Sequence, residues 1–257
     1  MSIQAFQQIT KTERENCVRT NTTLEKLVEK SADGDAGAIC DLCAILAKSV
    51  LYRASLLLGD HTDAQNVSQD VLLRVCENIR DFGDAESFRT WLSGAVISET
   101  RRFAAEHSKH GAVLNVSDYL GASAEDGDGQ LAQDYSEYEN VRRAVLKIVS
   151  HLPLQLREAI ILHYFDGLRI AEVAAAMGIP YHNATRYLEI ALKRLKHEIG
   201  KQPASTRLGV LGFFPMGSVL AESFRAGSEI FTPACSEWER GAVETCRQFM
   251  LVNNESI

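Results

Sequence analysis

Apolar residues recur at every third or fourth position along much of the chain, a spacing that buries one face of an α-helix. The clearest run follows the turn-forming stretch at 31–35 and predicts a helix over Ala36 to Leu58. Three further runs predict helices at about 23–30, at about 63–79 with Asp63 as the N-cap, and at about 87–109. Alternating apolar and β-branched runs, which are typical of strands, are missing from the sequence. The pattern predicts an all-α fold.

The periodicity fades between Asn115 and Asn140, where glycines alternate with Ser and Asp. Beyond this stretch, shorter helical runs return at about 139–150, 153–164, 169–176 and 181–198. We therefore predict two small helical domains joined by a linker, with further segments at each end. The predicted boundaries are an N-terminal extension at 1–35, a first domain at 36–112, an acidic linker at 113–138, a second domain at 139–202 and a C-terminal extension at 203–257.

The C-terminal extension carries one more helical pattern. Thr232 and Pro233 are suited to an N-cap and a first helical turn. The residues that then share one helix face are Cys235, Trp238, Ala242, Cys246 and Phe249. Such a face needs a surface to bury against, so this helix either folds back on the chain or packs on a partner.

The stretch from Arg169 to Lys196, RIAEVAAAMGIPYHNATRYLEIALKRLK, has the pattern of a helix-turn-helix. Gly178 suits the turn, and the small Ala174 suits the point where the two helices cross. Polar residues near the start of the second helix are placed to read DNA bases, and they are His182, Asn183, Thr185, Arg186, Glu189 and Lys193. An ordinary solvated helix face would show the same residue types.

Two separated blocks resemble bacterial RNA polymerase sigma factors of the extracytoplasmic-function class. The first is LLLGDHTDAQNVSQDVLLRVCENIRDF at Leu56 to Phe82, followed by SFRTWL at Ser87 to Leu92. The second is LPLQLREAIILHYFDGLRIAEVAAAMGIP at Leu152 to Pro180. The resemblance implies that the first domain binds the polymerase and melts the downstream promoter element. It implies that the second domain reads the minus-thirty-five element.

The resemblance also implies roles for particular residues. Polymerase binding falls on Asp63, Asn66, Gln69, Asp70 and Arg74, although the family more often has an acid where Asn66 stands. Contact with the downstream promoter element falls on Arg101, Arg102, Phe103 and Lys109. The expected partners are core RNA polymerase and promoter DNA, and an anti-sigma factor is a further candidate.

The charge balance first points away from nucleic acid, because the net charge is −7. Residues 115–140, however, hold seven acids and no Lys or Arg, so the rest of the chain is balanced at 27 acids and 27 bases. Residues 181–202 carry five basic and two acidic residues, which favours phosphate contact. The acidic linker is either a flexible tether or a segment that occupies a basic polymerase channel otherwise used by nucleic acid.

The six cysteines are scattered, as expected for reduced thiols in the cytoplasm. Cys40 and Cys43 form a C-x-x-C, but two thiols are only half of a zinc ligand set, so we predict that they are core residues. We find no catalytic constellation, and we expect no enzyme activity, no metal or other cofactor and no small-molecule substrate. No secretory signal or membrane-length apolar run is present, which again favours the cytoplasm.

Two other functions stay open at this point. The chain could be a stand-alone helix-turn-helix regulator that does not bind polymerase. It could also be a thiol-sensing or metal-sensing interaction module in which the C-terminal extension is the effector. Complex formation with core polymerase separates the first of these from a sigma factor, and a metal assay tests the second.

Overall fold

The computed structural model describes residues 23–107, 142–201, 216–231 and 235–254. All regular elements within these ranges are helical, which confirms the all-α prediction. The acidic linker, Lys109 and the Thr232–Pro233 pair lie outside the described residues.

The first half of the chain forms four helices. They are α1 at 23–32, α2 at Ala36–Leu58, α3 at His61–Asn78, which continues into a short 3-10 turn at Ile79–Asp81, and α4 at Ala85–His107. The carboxylate of Asp35 accepts hydrogen bonds from the N–H groups of Gly37 and Ala38 at the start of α2. Gly59, at φ 78°, ends the same helix in the left-handed conformation. These two local signals explain why the predicted bounds of α2 are confirmed.

The predicted N-cap of α3 was three residues too late, and the predicted start of α4 was two residues too late. At α3 the N-cap is Asp60, not Asp63, and its carboxylate accepts a hydrogen bond of 3.0 Å from the Asp63 N–H. At α4 the carboxylate of Asp84 accepts bonds from both the N–H and the hydroxyl of Ser87, each at 2.8 Å. In both cases an aspartate just before the helix satisfies a backbone donor of the first turn, so the helix begins earlier than its apolar stripe.

The second half forms six helices. They are α5 at 142–150, α6 at Leu154–Ile160, which continues into a wider π turn at Ile161–Phe165, α7 at Ile170–Met177, α8 at Tyr181–Gly200, α9 at Met216–Ile230 and α10 at Cys235–Asn254. The sequence analysis did not predict α9. The π turn is marked by a 3.1 Å hydrogen bond from the Asp166 N–H to the Ile161 carbonyl, five residues earlier.

The two predicted domains share one hydrophobic core in the described residues. Helix α6 packs on α2 and α8, and α4 packs on α7. The α4 and α7 backbones come close at Gly94, where an added Cβ would lie 3.7 Å from the Cα of Ala176. The recognition half of the molecule is therefore packed directly against the N-terminal half.

The C-terminal extension also packs on the chain itself. Helix α10 lies across α2 and α3 and buries Ala242, Cys246 and Met250, while Trp238 and Phe249 are half-buried. The apolar face proposed from the sequence is therefore covered by the N-terminal half of the same chain. A partner chain is not needed to cover it.

Helix α9 covers the junction between the two halves. Its Phe224 ring meets Phe165 of the π turn at a centroid distance of 6.0 Å, and Phe231, just after α9, meets Tyr52 of α2 at 5.3 Å. The approach is so close that a Cβ on Gly227 would lie 2.1 Å from the Tyr52 hydroxyl oxygen. Only glycine fits at that position without movement of the tyrosine.

We expect Gly227→Ala to lower the free energy of unfolding by about 1 to 3 kcal/mol, because the Tyr52 ring is buried and has to shift. The matched control is Gly241→Ala on α10, where an added Cβ meets nothing within 4 Å. There we expect a gain of roughly 0.5 to 1 kcal/mol from helix propensity alone. Urea denaturation followed by circular dichroism measures the free energy of unfolding of both variants. Changes of the same sign in the two variants would contradict the close packing at Gly227.

Candidate nucleic-acid interface

Helices α7 and α8 form the helix-turn-helix that the sequence predicts. The backbone N–H of Arg169 donates to the Glu172 carboxylate at 2.7 Å, which fixes the start of α7. Gly178 adopts φ 66° in the turn, and Pro180 precedes the first residue of α8. The buried stripe of α8 comprises Ala184, Leu188, Ala191, Leu195 and Ile199.

The opposite face of α8 carries the residues predicted to read DNA. His182, Arg186, Glu189 and Lys193 are exposed, whereas Asn183 and Thr185 are half-buried. The Thr185 hydroxyl donates to the Tyr181 carbonyl at 3.2 Å, so its proton is already engaged. Further cations continue along the exposed side at Arg194, Lys196 and Lys201. A helix with an open N-terminal turn and a cationic outer face is suited to the major groove of DNA.

The five residues predicted to bind polymerase all lie on α3. Asn66 is exposed, and Asp63, Gln69, Asp70 and Arg74 are half-buried. Two of the five make ion pairs with α4: Asp70 bonds to Arg102, and Arg74 bonds to Glu99. The outer side of α3 is therefore braced by its neighbour.

Arg102 is the centre of this brace. Its guanidinium bonds to Glu99 at 2.7 Å, to Asp70 at 2.7 Å and to Glu106 at 3.1 Å. Glu99 is nearly buried and also accepts from Arg74 at 2.5 Å. The hydrogen bond that Arg102 donates to Glu99 raises the pKa of Arg102 further above its ordinary value. A residue predicted to contact the promoter thus lies in one network with residues predicted to contact polymerase.

Arg101 points to the other half of the molecule. It makes a bidentate pair with Glu158 of α6, at 2.8 and 2.6 Å, and its third nitrogen donates to the Met177 carbonyl at 2.9 Å. The Glu158 side chain is fully buried, and its hydrogen bonds raise the pKa of Arg101. Phe103 is also in the core, with 8% exposure. Of the residues predicted for the downstream promoter element, Arg102 is therefore exposed, Arg101 is half-buried and Phe103 is buried, while Lys109 lies outside the described residues.

Buried charges that were not predicted from the sequence join the two halves. Arg157 donates to the carbonyls of Leu57 at 2.8 Å, Leu56 at 3.3 Å and Leu152 at 3.2 Å, and burial lowers its pKa to about 10. The bonds to Leu56 and Leu57 satisfy carbonyls at the C-terminal end of α2.

A second buried pair joins Arg53 to Asp166 at 2.8 Å, and burial raises the pKa of this aspartate. In the sequence, Arg157 and Glu158 interrupt the apolar run 152–165, which is a sign of buried charge, but spacing alone does not identify their partners.

Comparison with known proteins agrees with this geometry. Residues 142–195 match the family described as "Sigma-70, region 4". The ECF RNA polymerase sigma factor SigW of Bacillus subtilis is 23% identical over 161 residues, which cover 61% of this chain and 86% of that protein. The ECF RNA polymerase sigma-E factor of Escherichia coli is 25% identical over 167 residues, covering 62% and 84%.

Among solved structures, the chain is similar to the sigma factor RpoE of Bartonella quintana, crystallised in complex with the anti-sigma factor NepR. The identity is 19% and the TM-score is 0.40, with 62% of this chain and 95% of that chain covered. In the described ranges of the present chain, no helix is both long enough and apolar enough to cross a membrane.

We expect Arg101 and Glu158 to be coupled in their effect on stability. A double-mutant cycle with Arg101→Met and Glu158→Gln should give a coupling energy of about 1 to 3 kcal/mol, because one partner is fully buried. The same cycle on Arg247 and Glu244 of α10, which are both more than half exposed, should give less than about 0.5 kcal/mol. Equal coupling energies from urea denaturation would show that the buried pair adds nothing.

Proposed function

Because the chain is an RNA polymerase sigma factor of the extracytoplasmic-function class, we propose that its α8 reads the upstream promoter element while α3 and α4 bind core polymerase and the downstream element. The protein is a transcription initiation factor that directs core RNA polymerase to its promoters. Sigma factors are not enzymes, so the roles to be assigned are binding roles. We infer that the protein acts in the cytoplasm, where its polymerase is.

The single observation that carries this proposal is the match of residues 142–195 to sigma-70 region 4 on a helix-turn-helix whose outer face is open. The exposed side chains there include cations for phosphates and hydrogen-bonding groups for base edges. The local excess of basic residues at 181–202 supports the same assignment.

The bonds that Arg101 makes bear on how the two halves are arranged when the protein contacts DNA. Its guanidinium is bonded to Glu158 and to the Met177 carbonyl, so contact between Arg101 and DNA competes with the packing of α4 against α6 and α7. We infer that the two halves separate when the protein binds polymerase and promoter. The acidic linker at 113–138 connects the halves, and its occupation of a basic polymerase channel stays a prediction, as does an anti-sigma partner.

The test is reconstitution with core RNA polymerase. We expect a stable complex by size-exclusion chromatography and transcription from a subset of promoters in a genomic fragment library. Failure of both, alongside sequence-specific DNA binding by the protein alone, would favour a stand-alone helix-turn-helix regulator.

Asp70 and Glu106 provide a matched pair of variants for the polymerase surface. Both carboxylates bond to Arg102, but only Asp70 lies on α3. We expect Asp70→Asn to weaken the complex with core polymerase by about three- to tenfold, because a charge at the interface is lost. Glu106→Gln should leave the affinity unchanged. Equal weakening in a fluorescence binding assay would assign the effect to the Arg102 network and not to α3.

Arg186 and Lys201 provide the pair for the upstream element. Both are exposed cations on or just after α8, but Arg186 lies near its start, and Lys201 is paired with Glu198 at 2.7 Å at its end. We expect Arg186→Ala to lower promoter-directed transcription by about 5- to 100-fold, the range for loss of a base contact. Lys201→Ala should lower it less than about twofold. A promoter that responds equally to both variants would argue against base reading by Arg186.

A further inference from the structure

Three buried cysteines meet between the N-terminal half and the C-terminal extension. They are Cys43 on α2, Cys76 on α3 and Cys246 on α10, which are far apart in the sequence. Their sulfur atoms all lie within 4.8 Å of one another, and the Cys43 and Cys76 sulfurs are 3.7 Å apart. The exposed fraction of each residue is between 0% and 6%. Three helices thus direct one thiol each to a common point.

The distances match those of thiolates that share one metal ion. A Zn–S bond is about 2.3 Å, so two thiolates on one tetrahedral zinc lie about 3.8 Å apart. In a trigonal arrangement with bonds of that length the separation is about 4.0 Å. The sulfurs are too far apart for a disulfide, whose bond is about 2.05 Å. Small side-chain rotations would bring all three onto one ion.

The donor set is entirely sulfur. The group contains no carboxylate and no histidine among the described residues, so hard cations such as Mg²⁺ and Ca²⁺ have no suitable ligand. Thiolates without oxygen donors select soft or borderline ions, of which Zn²⁺ and Cu⁺ are the common biological examples.

Metal binding to such a cluster releases protons, because cysteine binds a metal ion as its thiolate. An ion at the centre of the group would take the place of the thiol protons and bind all three sulfurs.

We propose that Cys43, Cys76 and Cys246 bind one thiophilic metal ion, Zn²⁺ or Cu⁺, which fastens the C-terminal helix α10 to α2 and α3. The ion cross-links three helices whose cysteines are separated by 33 and by 170 positions in the chain. Loss of the metal then weakens the packing of α10 on α2 and α3, because Cys246 is the ligand that α10 contributes.

Cys40 separates this proposal from a site built on the C-x-x-C motif. It lies one helical turn before Cys43, is half-buried and is outside the group of three. The three-residue site therefore uses one cysteine of the motif and not the other. Cys40→Ser is the matched control for Cys246→Ala.

The test uses the full chain, stripped of metal by a chelator and kept anaerobic with a phosphine reductant. One arm adds Zn²⁺ or its spectroscopic substitute Co²⁺, and the other adds Cu⁺ in competition with a chromogenic chelator. We expect one ion per chain in one of the arms, with Co²⁺ giving a strong thiolate charge-transfer band. The thermal unfolding midpoint should rise with the bound metal.

The variants decide the assignment. Cys246→Ala should lower metal affinity at least tenfold and abolish the rise in the unfolding midpoint, while Cys40→Ser should bind as the wild type does. The proposed site would be overturned if wild-type protein bound no more metal than Cys246→Ala in both arms. Loss of metal in both variants would overturn the three-residue assignment. The Co²⁺ spectrum of the wild type counts thiolates directly, so the test does not depend on the stability of any variant.

Discussion

Two adjacent charged residues on the short helix α6 hold the halves of the molecule together. Successive residues on a helix point about 100° apart, so Arg157 and Glu158 face different neighbours. Arg157 reaches the end of α2, and Glu158 takes the guanidinium of Arg101 on α4. Both are nearly inaccessible, and a buried charge without a partner costs several kcal/mol. Helix α6 therefore satisfies its charges only when it is packed on both helices at once, and the positions of α7 and α8 follow from that packing.

This packing affects the two promoter contacts differently. The outer face of α8 is open while α6 is in place, so Arg186 and Lys193 can meet DNA in the conformation seen here. Arg101 differs, because each of its guanidinium nitrogens already donates to Glu158 or to the Met177 carbonyl, so contact with DNA competes with those bonds. The proposed reading of the upstream element by α8 is compatible with the packed halves, whereas the proposed use of Arg101 at the downstream element favours an open form in which they separate. A partner that favours the open form has to replace the interactions of two buried charges.

Features that depend on neighbouring residues in the sequence were predictable, and those that depend on distant contacts were not. Helix α2 was predicted with its bounds because Asp35 and Gly59 mark its ends locally. Helix α9 was missed because Gly217 and Gly227 each disfavour a helix interior by about 1 kcal/mol relative to Ala, and only the close approach of Tyr164 and Tyr52 accounts for them. The exposed residues of α8 followed from periodicity. The meeting of three cysteines could not be predicted in this way. Apolar periodicity shows which face of a helix is buried, but it does not show which residues cover that face.

Helix α3 carries both the residues proposed to bind polymerase and one cysteine of the sulfur cluster. Arg74 and Cys76 are two positions apart, which places them about 200° apart around the helix and so on opposite sides. Cys76 faces α2 and α10, while Arg74 and Asp70 lie on the outer side against α4. A metal ion at the cluster would therefore leave the outer side uncovered. If α3 binds polymerase as proposed, the C-terminal helix would influence that binding through the position and rigidity of α3, and not by covering its outer side.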